Sequence, residues 1–183
     1  MKEQLKSPIR QMVQGLAHWM AYRNSMSNVQ LIEADAVFVA TDILRANLPN
    51  DYYVEREVTK TSLPIVKNNR IDMGIKSRTE GSYKCLIEFK LADATNNGYE
   101  GDVNKLNQIK QQDENIDCLV VILYRKPCSY SEPKEFIAES GIASRKITKI
   151  GKNNVPVNVR CVCNSFPSST NPKSIKTICI ELI

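Results

Sequence analysis

Arg70-Ile71-Asp72-Met73-Gly74-Ile75-Lys76 and Lys84-Cys85-Leu86-Ile87-Glu88-Phe89-Lys90 are two β-rich runs joined by the turn-like stretch Ser77-Arg78-Thr79-Glu80-Gly81-Ser82-Tyr83. They read as a β-hairpin. With the turn centred on Glu80, Ile71 opposes Phe89, Met73 opposes Ile87 and Ile75 opposes Cys85, which makes one apolar face suited to packing on a core. The other face sets Asp72 opposite Glu88 and Arg70 opposite Lys90. Directly opposed Cβ atoms lie ~4.5–5.5 Å apart, and like charges at that separation are destabilising unless a cation compensates them. Lys90 shares the face of Glu88, ~6–7 Å further along the strand.

Two carboxylates and an ammonium in that arrangement suit metal-assisted hydrolysis. Hard carboxylate oxygens fit Mg²⁺ or Mn²⁺, which activates a water and offsets charge on a phosphodiester. The run Arg70-Ile71-Asp72, followed by Ile87-Glu88-Phe89-Lys90, resembles the D…(D/E)-x-K core of the restriction-endonuclease-like, or PD-(D/E)XK, phosphodiesterase superfamily. Ile71 stands where the motif has proline. The resemblance covers mainly residues 27–125. It implies an α/β fold with a central mixed sheet flanked by helices, and Mg²⁺-dependent cleavage of nucleic acid, with DNA the expected substrate. Asp72 and Glu88 would hold the metal, the backbone carbonyl of Phe89 or Ile87 would be a further ligand, and Lys90 would serve the attacking water. A second E-x-K, Glu132-Pro133-Lys134, is a decoy, because Pro133 argues against a central strand. A solvated strand face with cross-strand pairs such as Asp72 with Lys90 is the plainer reading of the same residues.

The flanking segments extend the pattern. Residues 28–47 predict a helix capped by Ser27 or Asn28, with Val29, Ile32, Ala36, Val37, Ala40, Ile43 and Leu44 at helical spacing. Glu33 sits on that stripe and has two readings: a member of the metal site, as the resemblance implies, or an edge residue that reaches water. Tyr52–Val58 predicts the first strand, with Val54 and Val58 on one face and Glu55 and Glu57 on the other. Lys60–Arg70 is a polar, basic connection that could meet phosphate. Asp102 is the expected cap of a helix running to about Glu114. On it, Gln108 resembles the site-facing glutamine of related nucleases, against the alternative of an exposed amide. Cys118–Tyr124 is a continuous apolar run expected to be buried on both faces.

The 183 residues predict one domain: an N-terminal helix over 1–25, the core over 27–125 and a C-terminal extension over 126–183. Ser7 is the expected cap of the first helix and Pro8 its first residue, with Ile9, Met12, Val13, Leu16 and Met20 forming an apolar stripe. That stripe serves either the core or a second subunit, as in a homodimer. A short helix within Pro133–Ser144 precedes Val155–Cys163 and Ser174–Leu182, a strand pair that either extends the sheet or forms an appended hairpin. The net charge of +5 favours an anionic partner without specifying one. Lys146, Lys149, Lys152, Arg160, Lys173 and Lys176 are candidate phosphate contacts.

The six cysteines show no C-x-x-C, and His18 is the sole histidine, so zinc spacings and Ser-His or Cys-His catalysis find no support. Reduced, buried thiols are expected. With no apolar segment after Lys2, Lys6 and Arg10 and no membrane-length run, the expectation is a cytoplasmic chain without a membrane partner. A metal-dependent nuclease is the leading expectation. The alternative is a nucleic-acid-binding or assembly module that keeps such a fold without turnover.

Overall fold

The hairpin supplies the second and third strands of a seven-stranded sheet. A computed structural model describes residues 1–25, 32–59, 61–63, 70–92, 99–124, 147–150, 153–165 and 175–183, apart from the side chains of 24, 25, 147–149, 164, 175 and 176. In chain order the elements are α1 (Glu3–Ser25), α2 (Glu33–Asn47), β1 (Tyr52–Val58), β2 (Ile71–Ser77), β3 (Tyr83–Ala92), α3 (Glu100–Gln112), β4 (Asp117–Tyr124), β5 (Ile147–Ile150), β6 (Val155–Ser165) and β7 (Ile175–Leu182). The strand order is β1-β2-β3-β4-β7-β6-β5. Only β3 and β4 pair in parallel, as a strand–helix–strand crossover through α3 requires. This is the expected α/β architecture of a mixed sheet flanked by helices.

The expected register holds at Met73↔Ile87 and Ile75↔Cys85, with a bulge between Ile75 and Lys76. The expected pairs Ile71 with Phe89, Asp72 with Glu88 and Arg70 with Lys90 are not part of the ladder, and Ile71 and Phe89 face different cores. At the turn Gly81 takes φ 65°, the left-handed conformation that glycine adopts without penalty. Met73, Ile75, Cys85, Ile87 and Phe89 pack with α1 and α2. On the opposite side Leu86, Val120 and Ile122 pack with Val103, Leu106 and Ile109 of α3. The strand β4 divides its side chains between the two cores, Leu119, Val121 and Leu123 facing one and Val120, Ile122 and Tyr124 the other. That accounts for its unbroken apolar run.

Strand parity fails at one place. Val58 and Ile71 pair with each other and belong to the α3-side core, whereas Val54, Met73 and Ile75 belong to the α1/α2 side. Parity alone would put Val54 with Val58, and Ile71 with Met73. The cause is Glu57, whose φ of 52° lies between the pairs Arg56↔Met73 and Val58↔Ile71 and turns the strands over at that point.

Helix ends also differ from expectation. The helix α1 starts at Glu3 and carries Pro8 inside it. Pro8 removes one intrahelical hydrogen bond, while Leu5, Ile9, Met12, Val13, Leu16 and Met20 are buried along one stripe that binds the helix to the sheet. The helix α2 begins at Glu33 after Ile32, which offers no side-chain cap; the cap candidates Ser27 and Asn28, and Val29, lie outside the described residues. Asp102 falls in the first turn of α3, whose preceding residue is Tyr99, so it is not the cap.

The C-terminal strands extend the main sheet, β7 pairing with β4 and β6 with β7. The short β5 joins as an edge strand that the sequence did not announce. Residues 133–144, with the decoy Glu132–Lys134, lie outside the described residues, as do Lys146, Lys152, Lys173 and most of Lys60–Arg70. Among the described residues no helix is long and apolar enough to cross a membrane.

Candidate functional site

The β2–β3 ladder runs from Lys76↔Tyr83 to Met73↔Ile87. In a strand, the N–H groups of alternate residues point to the same side, so Phe89 and Leu91 turn theirs toward the position β2 occupies earlier in the ladder. Two carboxylates accept them. Asp72 Oδ2 accepts the Phe89 N–H at 2.8 Å, and Glu33 Oε1 accepts the Leu91 N–H at 3.3 Å. The reversal at Glu57 explains why Asp72 is there: it stands between Ile71, which faces one core, and Met73, which faces the other. Its carboxylate therefore reaches the strand edge. The Phe89 carbonyl turns to the same side as the Phe89 N–H.

Glu88 and Lys90 bound this gap on β3. Lys90 Nζ lies 3.1 Å from Glu33 Oε1, in a pair whose side chains are 27% and 40% exposed. Burial pulls the Lys90 ammonium down, but the Glu33 hydrogen bond and charge, with Asp102 and Asp72 nearby, outweigh it and leave its pKa raised. Glu88 is almost wholly hidden, at 3% exposure. Burial, and next the charge of Asp72, push its carboxyl up to about 8, against the opposing pull of Lys105.

Lys105 is the residue that sequence reasoning missed. Its Nζ lies 2.5 Å from Glu88 Oε1 and 3.7 Å from Asp102 Oδ1. It also donates to the Arg70 carbonyl at 3.1 Å. Asp102 is itself raised, by burial first, with Lys105 and Lys90 opposing. Spacing carries only part of the signal for both residues. Glu88 has the parity of Leu86, and a β–α–β crossover packs its helix on that face; Asp102 and Lys105, three residues apart, flank the Val103/Leu106 stripe.

The structure thus gathers Asp72, Glu88, Lys90 and Glu33 at the end of the β2–β3 ladder, with Asp102 and Lys105 behind them. Gln108 lies exposed one turn beyond Lys105. A groove of about 590 Å³, lined by Glu33, Ala34, Val37, Arg56, Glu57 and Asp72, borders the Glu33 and Asp72 side of the site. Over the same groove the Arg56 guanidinium lies 5.3 Å from the Phe38 ring centre.

As a donor set, Asp72 and Glu88 offer hard oxygens. Glu88 Oε1 is buried, with the Lys105 ammonium 2.5 Å away. No cluster of three or more acidic, histidine or cysteine side chains is arranged to hold a metal among the described residues. Mg²⁺ needs no such cluster, since it is usually held by one or two carboxylates and keeps several waters. The residues present fit that cation. Comparison with protein-family models, with curated proteins and with solved structures gives no match.

Proposed function

We propose that this protein is a metal-dependent nuclease that hydrolyses phosphodiester bonds, acting on DNA, in the manner of the PD-(D/E)XK superfamily it resembles. The observation that carries the reading is the meeting of Asp72, Glu88, Lys90 and Glu33 where β2 and β3 cease to pair, beside a solvent groove. The element order supports it: a helix, three antiparallel strands, a crossover helix and a buried strand parallel to the third.

Asp72 and Glu88 would hold Mg²⁺ or Mn²⁺, with the Phe89 carbonyl as a further oxygen. When bound, the cation lowers the pKa of a water and neutralises phosphate charge. Lys90 places an ammonium at the open end of the site, where it meets a phosphate oxygen and orients the nucleophile. Glu33 fixes Lys90 there. Asp72, anchored on the Phe89 N–H, is held beside Glu88. An ammonium beside the phosphate stabilises charge that develops in the transition state.

The test is cleavage of supercoiled and linear DNA, and of RNA, with Mg²⁺ or Mn²⁺ and with chelator. Glu88→Ala and Lys90→Ala should each lower the rate at least ~100-fold. The half-exposed Lys90–Glu33 pair contributes less than ~1 kcal/mol to stability after screening, so Lys90→Ala should stay folded. A folded wild type that cuts nothing with either metal would leave the nucleic-acid-binding module as the better reading. The ammonium seated on Glu88 is the observation that favours that second reading.

A further inference from the structure

Lys105 is not part of the D…E-x-K pattern, yet it makes the shortest ionic contact to the most deeply buried acid of the site. Its side chain is 19% exposed and that of Glu88 4%. Two ionised carboxylates cannot share this position uncompensated, and the charge available to compensate them comes from a helix on the far side of the sheet from Asp72's neighbour Met73. The contact has the marks of a substitute partner. The same ammonium donates to the Arg70 carbonyl and has Asp102 at 3.7 Å to receive it when it leaves Glu88. Lys105 therefore has a second seat, one helical turn back along α3.

We propose that Lys105 is a tethered stand-in for the divalent cation: it compensates Glu88 in the metal-free protein and moves off toward Asp102 when the metal binds. This rests on the reading of Asp72 and Glu88 as metal ligands. Lys105 and the metal compete for one carboxylate, so metal loading carries the loss of the Lys105–Glu88 pair. Lys90, paired with Glu33, plays no part in that exchange. The two lysines have separate tasks.

Calorimetric titration of Mg²⁺ and Mn²⁺ into the wild type, Lys105→Met and Lys90→Met, at alkaline pH so that the carboxylates are ionised, separates the outcomes. Lys105→Met should bind metal on the order of tenfold more tightly than the wild type. Lys90→Met removes the same charge nearby and should gain markedly less. Equal gains would reduce the effect to general electrostatics and overturn the proposal. Unchanged affinity in Lys105→Met would overturn it while leaving the metal site intact, whereas no binding by any of the three proteins would remove the metal reading itself. A second measurement needs no variant: in the wild type, Mg²⁺ should increase the labelling of Lys105 by an amine-reactive reagent, read by mass spectrometry. Labelling that Mg²⁺ leaves unchanged or reduces would contradict the displacement.

Discussion

Glu88 keeps its carboxyl out of water and next to Asp72, and the direction of its titration follows from burial first and that neighbour second. Its folded pKa of about 8 exceeds the ordinary 4.5. Between those values the folded protein retains a proton that the unfolded chain has released. The associated stability is complete below pH 4.5 and is lost as pH rises through about 8. Urea unfolding midpoints should fall across that window in the wild type, and Glu88→Gln, which cannot ionise, should flatten the profile. An equal slope in both proteins would mean that Glu88 is not the group responsible. At this scale the D…E-x-K spacing named Asp72, Glu88 and Lys90, whereas the parity that set Asp72 opposite Glu88 breaks at Ile71. Lys105 and Asp102 were not legible, because their role depends on how α3 lies over β3, a tertiary fact that helical spacing alone leaves open.

The hairpin elements are locked by a close approach at Gly74. A Cβ there would lie 2.6 and 2.7 Å from Tyr83 ring atoms and 2.8 Å from Val58 Cγ2. The aromatic ring is buried and has little room to yield, so Gly74→Ala should destabilise by ~1–3 kcal/mol through overpacking. Gly15 in α1 provides the contrast: its added Cβ meets the tip of Ile43, Cδ1 at 2.5 Å, a flexible methyl. Helix propensity gains ~1 kcal/mol there, and Gly15→Ala should come out near neutral. Chemical denaturation of both variants checks the pair; a neutral Gly74→Ala would contradict the packing described. Element types and the central hairpin register were readable from alternation and turn residues. The exchange of faces at Val58 and Ile71 was not, because it comes from the left-handed φ of Glu57, a residue whose type gives no warning. Nor did Ser7-Pro8 mark the start of α1, since burial of Leu5 and Ile9 extends the helix past the proline.

Across the whole molecule, one sheet separates two cores, and the candidate site opens where its third strand outruns its second. The apolar run of β4 announced a centre, but the placement of β6 and β7 beside it depends on long-range pairing that no local pattern specifies. The excess of basic over acidic residues, 25 against 20, gives the surface a modest positive bias. If phosphate contacts use it, affinity for a DNA fragment should fall on the order of tenfold or more between ~50 and ~200 mM salt. Fluorescence anisotropy reads this directly. Binding that ignores salt, or no binding at low salt, would speak against a nucleic-acid partner of either kind, enzyme substrate or module ligand.

Asp72 and Glu88, in the gap where β2 and β3 cease to pair, are the proposed ligands of the metal. Electron paramagnetic resonance of Mn²⁺ titrated with wild type, Asp72→Asn and Glu88→Gln tests that assignment. Saturable binding of Mn²⁺ to the wild type, and its loss in both variants while each remains folded, is the expected result. Absence of bound Mn²⁺ in the wild type, or binding that survives both substitutions, would contradict it.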